Sequence, residues 1–252
     1  MADMIVNHMS AQSPQFLDVL QQGEKSAYWP LFLTRDKVFA KDAAAEQLAA
    51  VYRPRPTPFF TDIALNDGRR IPFWTTFTAN QIDIDVNSAA GKAYLQAILD
   101  RFTENGVKYI RLDAAGYAIK KAGTRCFMLP ETFEFIAALS EQAKARGMVC
   151  LVEIHGYHQT QIEIAKRCDM VYDFALPPLV LHTLFSRNAD ALKHWLDIAP
   201  RNCITVLDTH DGYGVIDGGP INGRPGLITQ DEMAYIFKKA EENTNGHSAI
   251  AS

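Results

Sequence analysis

The sequence predicts an α/β protein that forms part of a (β/α)8 barrel, that is, a partial TIM barrel. Short apolar segments alternate with longer amphipathic segments, a pattern typical of a parallel sheet flanked by helices. Four apolar segments end in charged residues, as expected where a barrel gathers polar groups at one face. The glycine-rich phosphate loop that an open, doubly wound sheet usually carries is not found in the sequence.

The predicted elements follow from hydrophobic periodicity and turn residues. Strands are expected at 107–115, 148–156, 170–176 and 202–211. Helices are expected at 88–105, 130–146, 159–167, 179–185, 189–198 and 229–242. Ser88 and Thr229 are suitable N-caps, with Glu232 completing a capping box, and Gly147 is suitable for ending a helix. Pro177 and Pro178 are expected to stop the third strand, and the polar tail 243–252 is expected to be frayed.

The segment 9–86 interrupts this alternation. It is rich in aromatic residues and prolines, as in YRPRPTPFF from Tyr52 to Phe60. We predict an inserted, irregular B subdomain there, after the first strand, while 1–8 and 87–252 form the partial catalytic barrel. Two interpretations of the insert stay open, since it either walls a pocket or is an ordinary long loop region.

Composition excludes several classes of protein. The chain has 252 residues, 48% hydrophobic and 21% charged, which indicates a globular protein rather than a disordered or fibrous one. A net charge of -4 gives no global reason to bind nucleic acid or an anionic membrane. Apolar runs are too short for a membrane helix, and the first ten residues lack the basic start of a signal peptide. We expect a cytoplasmic protein with no nucleic-acid or membrane partner.

The four cysteines are widely spread and form no C-x-x-C pair, which favours free thiols over a disulfide framework or a zinc site: they are Cys126, Cys150, Cys168 and Cys203.

Three carboxylates are the candidate catalytic residues, because each lies at the end of a predicted strand: Asp113, Glu153 and Asp211. Glycosyl transfer with retention uses two carboxyl groups, one as nucleophile and one as proton shuttle. A short Asp suits the nucleophile, and the longer Glu suits the shuttle. Arg111 lies two residues before Asp113 and therefore on the same strand face, where its charge favours an ionised Asp113. His8, His155 and His210 are candidate hydrogen-bond donors to sugar hydroxyls.

The residues alone leave other chemistries open. Metal-assisted hydrolysis and aldol or isomerase chemistry on a barrel also use clusters of carboxylates. The sequence lacks an H-E-x-x-H or paired-His pattern, which argues against a metal site. Lys120 and Lys121 follow a strand rather than lying in one, which disfavours a Schiff-base lysine. Asp173 is expected to be a structural ion pair or helix cap.

Four segments resemble, in order, the conserved regions of the α-amylase superfamily, glycoside hydrolase family 13. They are DMIVNH (Asp3 to His8), IRLDAAGY (Ile110 to Tyr117), LVEIH (Leu151 to His155) and VLDTHD (Val206 to Asp211). Further segments are similar to the sucrose phosphorylases within that superfamily: YRPRP, QIDID (Gln81 to Asp85), VYDFALPPL (Val171 to Leu179) and LDTHDGYGVID (Leu207 to Asp217).

The resemblance implies a role for each candidate residue. Asp113 matches the nucleophile, Glu153 the general acid/base and Asp211 the transition-state stabiliser. His8, Arg111 and His210 match glucose-binding positions. Other matches line the pocket and the acceptor side: Tyr52, Arg55, Phe77, Gln81, Tyr117 and His155. Arg55 is the expected phosphate-binding cation.

The implied reaction converts sucrose and inorganic phosphate into α-D-glucose 1-phosphate and fructose through a covalent glucosyl-enzyme. No cofactor or metal is implied. Alternatives are a family 13 α-glucosidase or amylase-type hydrolase, or a phosphorylase acting on sucrose 6′-phosphate, glucosylglycerate or glucosylglycerol. An inactive fragment or sugar-binding module is the non-enzyme alternative.

The match runs from about strand 3 to strand 7 of the family's barrel. We therefore expect a fragment of a phosphorylase about twice as long, with little or no activity as an isolated chain. A homodimer is a further expectation.

Overall fold

The computed structural model describes residues 1–40, 42–207, 212 and 214–250, and for 249 and 250 only the backbone. It divides into two compact units, Met1–Val152 and Glu153–Ser252.

Among the residues that the structure describes in the first unit, seven strands and five helices are formed. The strands are β1 (Ala2–Ile5), β2 (His8–Ser10), β3 (Phe60–Ala64), β4 (Arg70–Trp74), β5 (Gln81–Asp83), β6 (Tyr109–Asp113) and β7 (Val149–Val152). The helices are α1 (Pro14–Gln22), α2 (Arg35–Val38), α3 (Ala45–Ala49), α4 (Ala89–Glu104) and α5 (Pro130–Ala145).

Strands β1, β6 and β7 are parallel neighbours, with β6 in the middle. Ile110 and Leu112 of β6 are fully buried and alternate with the partly exposed Arg111 and Asp113. Helices α4 and α5 connect these strands, as predicted. Ser88 caps α4 by accepting a hydrogen bond from Gly91 N, and Gly147 after α5 has a φ of 73°. The observed strands are shorter than the predicted ones, since the end residues of the predicted segments 107–115 and 148–156 lie outside β6 and β7.

The predicted irregular insert has sheet structure of its own. β2 pairs antiparallel with β5, and β3 pairs antiparallel with β4. Trp74 is almost fully buried in an aromatic cluster, and its ring stacks on that of Phe39 at 5.9 Å between centroids. Aromatic residues are concentrated here because they form this small core.

In the second unit, the described residues form two parallel strands and four helices. They are α6 (His158–Ala165), β8 (Met170–Asp173), α7 (Leu176–Ser186), α8 (Asp190–Ile198), β9 (Cys203–Thr205) and α9 (Gln230–Asn243). Trp195 and Leu179 are fully buried in its core. The predicted capping box of α9 is confirmed, since Thr229 and Glu232 exchange hydrogen bonds.

One prediction for this unit needs correction. Pro177 and Pro178 do not stop a strand, because β8 already ends at Asp173 and both prolines lie in the first turn of α7. The first turn of a helix accepts proline, since its N–H groups have no intrahelical partner. After α9, a short 3-10 turn is formed at His247–Ile250.

Candidate active site

Asp113 lies at the carboxyl end of β6, paired with Arg111. Arg111 Nη1 is 3.0 Å from Asp113 Oδ1 and 3.5 Å from Asp3 Oδ1. The arginine side chain is 12% exposed and that of Asp113 28%, so the cation is largely withdrawn from water while the carboxylate remains accessible. The predicted same-face arrangement of these two residues is confirmed. Ala114, which follows, has a left-handed φ of 55°, so the chain turns sharply directly after the carboxylate.

His8 begins β2 and is buried close to Asp113. Its Nε2 lies 2.9 Å from the Gln81 amide nitrogen, and its ring meets Phe77 edge-on at 5.3 Å. Burial lowers the pKa of His8, against the raising effect of Asp83 and Asp113, so the ring is neutral at neutral pH. A neutral imidazole offers one donor and one acceptor.

An aromatic cluster continues from Phe77 along the same side. Phe77 meets Tyr117 edge-on at 5.1 Å, and Tyr117 stacks with Tyr52 at 6.2 Å. Phe127, which the sequence analysis did not select, belongs to the same cluster. The centroid of its ring lies 4.7 Å from that of Tyr117 and 4.8 Å from that of Tyr52. Phe127 lies between the predicted strand at 107–115 and the predicted helix at 130–146, in a segment without a periodic pattern that would indicate this contact. Half-buried aromatic rings of this kind suit the apolar face of a sugar.

The structure therefore brings together, in the first unit, most of the predicted side chains: His8, Tyr52, Phe77, Gln81, Arg111, Asp113 and Tyr117. Arg55 is different, since its side chain is exposed and, among the contacts described for this unit, none joins it to that group.

In the second unit, Glu153 directly follows β7 in sequence, and its side chain is half-buried. His155 stacks on Phe174 with 3.8 Å between ring centroids, and its Nδ1 is 3.0 Å from Asp217 Oδ2. Asp217 Oδ1 also accepts a hydrogen bond of 2.6 Å from Gly156 N. The sequence analysis assigned no role to Asp217, although this residue ends the segment LDTHDGYGVID. No sequence pattern links it to His155, which lies 62 positions away.

Asp217 is fully buried, and this burial raises the pKa of its carboxyl group, although the hydrogen bonds from His155 and Gly156 oppose the shift. Gly214 makes room for it, since a Cβ on Gly214 would lie 2.0 Å from Asp217 Oδ2.

Asp173 is a structural residue, as expected. Its carboxylate accepts hydrogen bonds from Trp195 Nε1 at 2.9 Å and from Leu176 N at 3.0 Å. Asp173 thereby caps the start of α7 and satisfies the buried indole N–H of Trp195.

Two predicted site residues, His210 and Asp211, lie outside the described residues. Their roles remain predictions, as do those of Asp113 and Glu153.

In the part of the chain that the structure describes, every helix is too short or too polar to cross a membrane.

No protein-family model matches the chain. A sucrose phosphorylase of Agrobacterium vitis is 53% identical over 253 residues, covering 100% of this chain and 52% of the relative. A sucrose phosphorylase of Bifidobacterium adolescentis is 47% identical over 255 residues, covering 100% of this chain and 50% of the relative. The chain is a homologue of the sucrose phosphorylases. It spans about half the length of these relatives.

Solved structures confirm the partial (β/α)8 barrel of the α-amylase superfamily. The crystal structure of sucrose 6F-phosphate phosphorylase from Thermoanaerobacter thermosaccharolyticum matches with a TM-score of 0.85 and 36% identity, over 94% of this chain and 48% of that protein. A trehalulose synthase matches with a TM-score of 0.56 and 18% identity, over 69% of this chain and 33% of that protein, a likeness of fold alone. The resemblance found in the sequence is thus confirmed.

Proposed function

We propose that the protein is a glucosyl-transferring phosphorylase that converts sucrose and inorganic phosphate into α-D-glucose 1-phosphate and fructose. One observation carries the proposal: this chain is 53% and 47% identical over its whole length to two proteins named sucrose phosphorylase. The strand-end carboxylates provide a chemical basis for the transfer.

The proposed reaction has two displacements. In the first, an Asp113 carboxylate oxygen attacks the anomeric carbon while Glu153 donates a proton to the departing fructosyl oxygen. In the second, a phosphate oxygen attacks the same carbon, Glu153 accepts its proton and the bond to Asp113 breaks. Two inversions give net retention. Asp211 is the proposed stabiliser of the positive charge that develops on the sugar.

The described geometry supports these roles. The Arg111 guanidinium lies 3.0 Å from the Asp113 carboxylate and holds this side chain at the end of β6. Tyr117 and Phe77 supply aromatic surface for the sugar ring, and neutral His8 supplies a hydrogen bond. Arg55 remains the proposed phosphate-binding cation, and its exposure leaves it open to an incoming anion. No metal or cofactor takes part in the proposed steps.

The first test replaces the nucleophile in the whole protein. Asp113→Asn keeps the shape and removes the attacking charge, so we expect sucrose phosphorolysis to fall by at least ~10⁴-fold, measured as glucose 1-phosphate release. Asp197→Asn, a change at an exposed position on α8, is the matched control and keeps full activity. Substantial turnover by the Asp113 variant would show that the nucleophile is elsewhere.

Product analysis separates the proposed enzyme from its rivals. A hydrolase releases glucose whether or not phosphate is present, whereas a phosphorylase releases glucose 1-phosphate only with phosphate. Sucrose 6′-phosphate, glucosylglycerate and glucosylglycerol are the competing donors to compare with sucrose. Relatives named for such donors include the glucosylglycerol phosphorylase of Marinobacter adhaerens, 37% identical over 85% of this chain and 45% of its own length. The cytoplasmic location and homodimer stay predictions.

A further inference from the structure

A network of buried polar side chains contacts His8 in the first unit. Lys120 Nζ is 2.8 Å from Asp83 Oδ2, and the side chains are 2% and 0% exposed. Asn7, which precedes His8, is 1% exposed and contacts both. Charges this deeply buried are costly unless every donor meets an acceptor, so the direction of each hydrogen bond can be worked out.

Lys120 sets the orientation of the Asn7 amide. An ammonium group has three donors and no acceptor. Lys120 Nζ donates to Asp83 Oδ2, to the Tyr117 carbonyl oxygen and, at 2.8 Å, to Asn7 Oδ1. The oxygen of Asn7 must therefore face Lys120, which leaves its two N–H groups directed away from the cation.

Asp83 takes the first of these N–H groups. Asn7 Nδ2 donates to Asp83 Oδ2 at 3.0 Å, and a carboxylate only accepts. The other oxygen of Asp83 accepts from Thr76 N at 2.9 Å. The Thr76 hydroxyl also donates to Asp83, and it accepts from Trp74 Nε1 at 3.1 Å. Both partners of Asn7 are thus held by further hydrogen bonds.

The second N–H of Asn7 faces His8, with 3.4 Å between Asn7 Nδ2 and His8 Nδ1. Because the donor is on Asn7, the acceptor must be His8 Nδ1. We propose that Lys120, Asp83 and Asn7 are positioning residues that fix His8 in the tautomer with its proton on Nε2. A hydroxyl of the glucosyl group then accepts from Nε2–H in place of the Gln81 amide, a consequence that rests on the proposed function.

The Gln81 side-chain amide is the neighbour of Nε2, and its nitrogen lies 2.9 Å from His8 Nε2. Because an amide nitrogen only donates, a proton on Nε2 requires the Gln81 amide to be turned over, so that its oxygen faces His8 and accepts from Nε2–H. Its nitrogen then donates to Thr78 Oγ1, at 3.1 Å, because a hydroxyl accepts as readily as it donates. Burial also keeps the ring neutral, as its lowered pKa indicates.

The proton position is read directly by NMR of the protein labelled with ¹⁵N-histidine, with His8→Gln used to assign the His8 signals. Near neutral pH we expect a protonated, pyrrole-type signal for Nε2 and an unprotonated, pyridine-type signal for Nδ1. A protonated Nδ1, or a doubly protonated ring, would overturn the proposal. This measurement needs no substitution in the network, so it decides even if a network variant fails to fold.

Asn7→Asp tests whether the Asn7 N–H group determines which nitrogen of His8 carries the proton. The new carboxylate keeps the shape and the acceptor for Lys120 but has no N–H, so we expect the His8 proton to move to Nδ1 and face it. Asn80→Asp adds the same charge at an exposed position and should leave the His8 signals in place. Unchanged His8 nitrogen signals in the folded Asn7 variant would contradict the proposed role of the Asn7 N–H group.

Kinetic measurements on the whole protein test whether the position of the His8 proton affects the reaction. The Asn7 variant should lose ~10²-fold in kcat/KM for sucrose, the scale expected for a misdirected positioning group, while the Asn80 variant retains the wild-type value. The two proposals fail separately, because the proton position is measured without substrate. Wild-type protein that does not phosphorolyse sucrose contradicts the proposed function and leaves the tautomer result standing.

Discussion

Asp217 shows how one buried side chain organises the loop that follows Glu153. Its two oxygens satisfy Gly156 N and His155 Nδ1, and Gly214 permits their approach. The imidazole is also stacked on Phe174. Asp217 and Phe174 therefore both contribute to the orientation of His155, a predicted acceptor-side residue.

Asp217→Ala should lower the free energy of unfolding by about 1–3 kcal/mol, because it leaves a buried N–H of Gly156 without its acceptor. Urea unfolding measures the change. Asp197→Ala, at an exposed position in the same unit, is the matched control and should shift stability by less than about 0.5 kcal/mol. Equal effects of the two changes would mean that the Asp217 hydrogen bonds contribute nothing net.

His158 supports a prediction about pH. Burial, followed by the nearby charge of His194, lowers its pKa in the folded protein. Below the ordinary histidine pKa the unfolded chain binds more protons, so this contribution to stability is complete above about pH 6.5 and is lost as pH falls toward the folded value.

We therefore expect His158→Gln to reduce the loss of unfolding free energy between neutral pH and about pH 5.5, by at most about 1.4 kcal/mol per pH unit. Chemical unfolding at a series of pH values measures it. His247→Gln, at an exposed histidine, should leave the wild-type slope unchanged. A His158 variant with the wild-type slope would contradict the assignment.

At the scale of elements, helix α4 shows where local propensity and tertiary packing oppose each other. Gly91 lies in its first turn, and a Cβ there would be 1.9 Å from the Asp85 carbonyl oxygen. The chain before the helix folds back tightly because Ser88 and Asp85 hydrogen-bond to each other. Glycine is needed for this approach.

Gly91→Ala should destabilise the protein by about 1–3 kcal/mol, since backbone atoms must move to admit the methyl group. Helix propensity alone predicts the opposite sign, a gain of about 1 kcal/mol for alanine. Thermal or urea unfolding decides between them. Ala97→Gly, the reverse change later in the same helix, should cost about 1 kcal/mol through propensity alone. A more stable Gly91 variant would exclude the steric argument.

At the scale of the whole molecule, the described residues contribute three parallel strands in one unit and two in the other. A (β/α)8 barrel requires eight strands to close. The relatives are about twice as long as this chain.

We expect the 252-residue chain alone to release no measurable glucose 1-phosphate from sucrose and phosphate, while the whole protein does. Open strand edges and uncovered apolar surface are the physical reason. Parallel assays at equal protein concentration test this, with the Asp113→Asn whole protein as the blank. Activity of the isolated chain above that blank would refute the expectation.

Features that depend on neighbours in the chain were predictable. Hydrophobic periodicity and capping residues located α4, α5 and α9, and the two-residue spacing placed Arg111 beside Asp113. The resemblance of ordered motifs identified the family. Strand ends were predicted less well, because the change from strand to loop depends on pairing rather than on local sequence.

Only tertiary structure revealed the partners of the buried polar groups. Asp217 contacts His155, and Asp83 joins Lys120 and Asn7, across long separations in sequence. Lys120 in particular looked unremarkable as a lysine beyond a strand. Burial makes each such group require a specific partner, yet which distant residue satisfies it is decided by packing, and packing leaves no periodic trace in the sequence.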